Sequence, residues 1–133
     1  MTRKTEGWQT RLAAYLQEVG REGFAYGAHD CALFAAGAVQ AMTGIDLAAD
    51  WRGRYTSLRG GLRVLRAAGY ADHVALAAAH FPTVDRPRPG DLAVMQTPDG
   101  PALGIVQGAL VYLRGPDRIG LLPVSDASQF FGV

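Results

Sequence analysis

The sequence predicts an α+β domain with helices first and a sheet second, and three observations carry that reading. Apolar residues recur at helical spacing as far as His80. Pro82, Pro87, Pro89 and Gly90 then make a linker that cannot be helical. Beyond the linker the apolar runs shorten to β type and are parted by turn residues, as a meander with antiparallel pairing requires. At 133 residues the chain has length for a single core and not for two, and is read as one domain, 1–133.

Each element has its own local reason. Trp8, Leu12, Tyr15, Leu16 and Val19 form one apolar stripe with Arg11 and Glu18 off it, an amphipathic helix stopped near Gly20. Asp30 or His29 caps a second helix that ends at Gly44; apolar on every side, it belongs at the centre. Ser57 caps a third, with Leu58, Leu62 and Leu65 on one face and Gly69 at its end. Asp72 caps a short fourth through Ala79. The strands are expected at Leu92 to Gln96, Ala102 to Gln107, Leu110 to Leu113 and Ile119 to Val124. Turns are read at Thr97-Pro98-Asp99-Gly100-Pro101, at Gly108 and at Gly115-Pro116-Asp117.

A formal net charge of +1 gives no strong field to attract nucleic acid or an anionic membrane. The single cysteine rules out an internal disulfide and a Cys-rich metal site, and no metal is expected. No apolar run is long enough to span a bilayer, and Met1-Thr2-Arg3-Lys4 does not open a signal peptide. The chain is therefore expected to be made and folded in cytosol.

Cys31 is the most informative residue. It follows Gly27-Ala28-His29-Asp30 and opens the apolar run Ala32-Leu33-Phe34-Ala35-Ala36-Gly37-Ala38-Val39. That pattern places the thiol in the first turn of a buried helix, where free N–H groups and the helix dipole favour a thiolate. A nucleophile there also needs a base. His29 is the nearest candidate, two residues away; His73 and His80 fall on or beside the fourth helix. Asp30 is most economically a helix cap whose charge raises a neighbouring thiol's pKa. As a small hydrophobe in the core, Cys31 would need no partner at all.

The order of these features resembles the NlpC/P60 family of papain-like cysteine peptidases. Tyr26-Gly27, Asp30-Cys31 with Phe34, Pro89-Gly90-Asp91-Leu92 and Leu103-Gly104-Ile105 carry the likeness. A phage-borne branch is suggested by Gly27 to Phe34 with Thr43-Gly44-Ile45-Asp46 and Arg52-Gly53-Arg54-Tyr55. The resemblance implies helices packed on an antiparallel β-meander, a nucleophile at Cys31, no cofactor, and cell-wall peptides as substrate. It also implies a base histidine on the second strand, oriented by a polar residue on the next. The base position is occupied by Ala102, and the orienting position falls near Val111 or Tyr112.

Two further groups of residues ask for an explanation. Arg59, Arg63 and Arg66 lie opposite the leucine stripe of the third helix, either a solvated face or a docking surface for an acidic protein. Phe130 and Phe131 near the C-terminus are either a last strand or a partner contact. The expected function is structural: a docking component of a phage-type tail tip or hub with a vestigial nucleophile at Cys31. Its partners would be other tail proteins, with peptidoglycan as a further ligand and no nucleic acid, and it would reside in the virion tail after assembly in the bacterial cytoplasm. The alternatives are an active cysteine hydrolase of cell-wall peptides, aiding DNA entry, and a host-encoded binding module.

Overall fold

The computed structural model describes residues 3–115 and 118–133 and has an α+β architecture, N-terminal helices packed on a C-terminal antiparallel sheet. Four helices come first: α1 (Trp8–Val19), α2 (Cys31–Thr43), α3 (Leu58–Ala67) and α4 (His73–His80). The caps expected at Asp30, Ser57 and Asp72 all form, their side chains accepting from the N–H groups of Leu33, Gly60 and Ala75. The central helix is α2, buried almost continuously from Leu33 to Val39. Gly37 allows α1 to lie against it, because a Cβ there would collide with the Tyr15 ring.

The strands are β1 (Leu92–Thr97), β2 (Gly100–Gln107), β3 (Leu110–Arg114), β4 (Ile119–Pro123) and β5 (Gln129–Phe131), in the sheet order β4-β3-β2-β1-β5. Strands β1 to β4 make the expected meander. The hairpin between β1 and β2 closes at Thr97↔Gly100, where the Thr97 hydroxyl donates to the Gly100 carbonyl at 2.7 Å. The turn after β3 is closed by Gly115 N–H on the Arg118 carbonyl; Pro116 and Asp117 of the expected turn lie outside the described residues.

Phe130 and Phe131, read from the sequence as a last strand or a partner contact, form the strand: β5 pairs antiparallel with β1, through Leu92↔Phe131 and Ala93↔Phe130. Phe131 is 1% exposed, within the main core between sheet and helices, beside Phe34, Val39 and Ile105. Phe130 is half-buried against the second, smaller core, where Ala93, Met95, Val106 and Val111 are the buried centre. The cost of leaving two aromatic rings in water favours their packing on this edge strand, against the two cores.

Polar ties complete the frame. Asp91, in the Pro-Gly-Asp step, is 3% exposed; its carboxylate accepts from Arg88 N–H (2.8 Å) and Val133 N–H (3.0 Å) and pairs with Lys4 at 3.5 Å. Both ends of the described chain are thereby fastened where the sheet begins. Among the described residues no helix is long and apolar enough to cross a membrane. Truncating Phe131→Ala is expected to destabilise the domain by about 3–5 kcal/mol, against a smaller loss for Phe130→Ala. Urea unfolding of the two variants checks this; equal, small losses would return both rings to the surface.

Candidate functional site

Cys31 is the first residue of α2, as its position after the glycine turn requires. The loop before it is held by Asp30, which is 3% exposed. One carboxylate oxygen accepts from Leu33 N–H at 2.9 Å; the other accepts from Gly27 N–H at 2.9 Å and from the Tyr55 hydroxyl at 2.5 Å. Gly53 N–H in turn donates to the Gly27 carbonyl at 2.8 Å. Gly27 has φ +83°, and a side chain there would run into the Tyr55 backbone. The loops on either side of Cys31 are thus locked together by one carboxylate. Burial and Asp30 both push the Tyr55 hydroxyl well above its ordinary range, so it stays a donor.

The thiol opens into a cleft of about 100 Å³ between α2, α3, α4 and the sheet. Its walls are mostly apolar: Ala35, Val39, Trp51, Leu62, Leu65, Leu92 and Leu103 among them. The leucine stripe of α3 faces this cleft, while Arg59, Arg63 and Arg66 lie exposed on the other side of the helix. Among the described residues none of the three arginines makes an ion pair. Arg52 is different. It holds Asp46 through two bonds of 2.8 and 3.1 Å, so the Gly44-Ile45-Asp46 and Arg52-Gly53 motifs serve to pin the α2–α3 connection.

The environment does not favour a thiolate, contrary to the expectation from the helix start. Burial raises the Cys31 pKa first, and the Asp30 charge raises it further; the helix-start hydrogen bond opposes them and loses. His29, the nearest candidate base in sequence, is not among the residues that line the Cys31 cleft. Its backbone bridges to Ala25, and its ring lies 38% exposed, with Nε2 3.8 Å from Glu22. It lines a second pocket, against a different face of α2, and not the cleft of Cys31.

Strand β2 runs beside the cleft, but alternation turns Ala102 away from it. Ala102 shares its sheet face with Val106 of the smaller core, whereas Leu103 shares its face with Ile105 and lines the cleft. Val111 is fully buried in the smaller core and offers no polar group. The histidine that does border the cleft is His73, at the start of α4. Burial lowers its pKa, and its Nε2 is shielded with no hydrogen-bond partner. The sequence places His73 on or beside the fourth helix, and no local signal in it tells that α4 brings this residue to the Cys31 cleft. Tyr55 was legible only as part of a motif, and its role as second anchor of Asp30 was not.

Two outcomes follow from this geometry. Alkylation of Cys31 by iodoacetamide is expected to lag behind that of a free thiol at pH 7, with its rate–pH midpoint above the ordinary value of 9.0; a midpoint below it would restore an activated nucleophile. His73 is held neutral, so the unfolded chain binds the extra proton as pH falls below its ordinary 6.5. Stability is therefore expected to fall between pH 7 and 5, and His73→Phe should flatten that slope in urea titrations.

Comparison with known proteins adds one relationship. No curated protein matches the chain. A family model described as a domain of unknown function, DUF6950, matches residues 3–133, which is nearly the whole length. The chain belongs to the DUF6950 family.

Proposed function

We propose that the chain is a docking component of a phage-type tail tip or hub, built on an NlpC/P60-like, papain-like fold whose catalytic base is gone. One observation carries this reading: the β2 side chain that lines the Cys31 cleft is Leu103, an aliphatic group that cannot act as a base. A thiol held protonated, without an imidazole to take its proton or return it to a leaving amine, forgoes about two to four powers of ten in rate. The exposed arginines of α3 then supply a surface suited to carboxylates of a neighbouring tail protein. Assembly would take place in the bacterial cytoplasm and leave the protein in the virion tail.

A second reading has its own observation. His73 borders the same cleft as Cys31 with an unpartnered ring nitrogen, so a ligand-induced approach of the two would make a cysteine hydrolase. The two readings part on one substitution. Under the docking reading the purified domain leaves cell-wall peptides intact, and Cys31→Ala assembles and functions as the parent does, at a stability cost of about 1 kcal/mol. Reversing Arg59, Arg63 and Arg66 to Glu should instead abolish partner capture while circular dichroism and melting stay native. Normal particles that fail to infect when they carry Cys31→Ala would overturn the docking reading in favour of the hydrolase.

A further inference from the structure

The sheet has two outer edges, β4 and β5, and the chain treats them differently. The edge of β5 is covered: Val84 N–H donates to the Phe130 carbonyl at 3.0 Å, and Gly132 N–H donates to the Pro82 carbonyl at 2.9 Å. The edge of β4 is bare. Val124 N–H donates to the Ala109 carbonyl and Gly115 N–H to the Arg118 carbonyl, each at 2.9 Å, which fixes the alternation along the β3–β4 ladder. The backbone of Gly120 and Leu122 therefore turns towards β3, while that of Ile119, Leu121 and Pro123 turns outward. Among the described residues no other backbone group bonds to those outward N–H and carbonyl groups.

An open edge invites another strand unless charge, a bulge or a covering segment blunts it. The strand Ile119-Gly120-Leu121-Leu122-Pro123 carries no charge, and its register with β3 is continuous. Leu121, at its middle, is 52% exposed; Leu110, paired with Pro123 on the same face, and Leu122, on the other, are exposed as well. The outward groups match a second copy of themselves. In an antiparallel pair centred on Leu121, the N–H and carbonyl of each Leu121 meet those of the other. Each Ile119 N–H then meets the carbonyl of the opposite Pro123, the only backbone polar group that a proline offers. The flanking charges match too. Arg118 before the strand and Asp126 after it are exposed and make no ion pair among the described residues. Antiparallel pairing sets the Arg118 end of one strand beside the Asp126 end of the other. We infer that the β4 edge is a self-association surface, on which a second copy of this chain adds its own β4 across a two-fold axis at Leu121. Such a contact is closed, because both β4 edges are used and both β5 edges are already covered. With one short strand from each copy, it belongs to the weak, exchanging class of interface. This surface is independent of the docking reading, since β4 borders neither the Cys31 cleft nor the arginine face of α3.

Sedimentation velocity on the whole domain, from micromolar to millimolar concentration, tests this together with amide hydrogen exchange read by NMR on the same samples. A reversible monomer–dimer equilibrium is expected, with no larger species, and the Ile119 and Leu121 amides should exchange more slowly as concentration rises. Leu121→Lys sets like charges against each other at the axis and should weaken the dimer about tenfold. Ile45→Lys, at an apolar residue of similar exposure on the α2–α3 connection, should leave it unchanged. Should Leu121→Lys fail to fold, the exchange of the two amides in the parent chain decides alone. A monomer throughout the range, a dimer that leaves both amides unprotected, association beyond two copies, or equal effects of the two lysine substitutions would each overturn the proposal.

Discussion

The Asp30 carboxylate is the constraint on which the architecture around Cys31 depends. It is buried, and it accepts three hydrogen bonds from three different places: the first turn of α2, the glycine loop before it, and Tyr55 after the α2–α3 connection. A buried carboxylate is unfavourable unless its lone pairs are used, and here the backbone and one phenol use them. Gly27 is the residue that makes the arrangement possible, since any side chain there would displace Tyr55. The same carboxylate that builds the niche of Cys31 also works against ionising its thiol.

Two other buried charges repeat the pattern at a distance. Asp91 gathers Lys4, Arg88 and Val133, joining both ends of the described chain to the first strand. Arg114 crosses from the third strand to the end of the first helix. Each bridges elements that are remote in sequence, so each adds register and orientation to a core whose apolar contacts alone are non-directional. Apolar packing holds the layers together; these polar ties set how they face one another.

Much of the architecture could be read from local chemistry. The caps at Asp30, Ser57 and Asp72 and the all-round apolarity of α2 are local signals, and local signals survive folding. The leucine stripe of α3 likewise pointed inward and its arginines outward. What could not be read depended on long-range pairing. The sequence left Phe130 and Phe131 open between a last strand and a partner contact, and only the return of β5 beside β1 decides for the strand. Ala102 looked like the residue nearest the thiol, but strand alternation gives that place to Leu103. Arg114 carried no signal at all, because an arginine ending a strand is ordinary until a helix terminus is found against it.

The unsatisfied groups are the exceptions in a hydrogen-bonded interior, and their places in the fold are specific. Among the described residues, two buried side-chain atoms lack a hydrogen-bond partner, His73 Nε2 and Arg114 Nε. Native folds leave few such groups, and each carries a penalty that packing elsewhere must offset. These two do not fall at random: one borders the cleft that holds Cys31, the other the pocket behind α2. The first is a neutral imidazole in apolar surroundings, suited to a single hydrogen bond with a neutral group. The second belongs to a permanent cation whose terminal nitrogens already donate to the Val19 and Glu22 carbonyls. Leu33 lines both spaces, so the two faces of α2 share their packing through that one side chain.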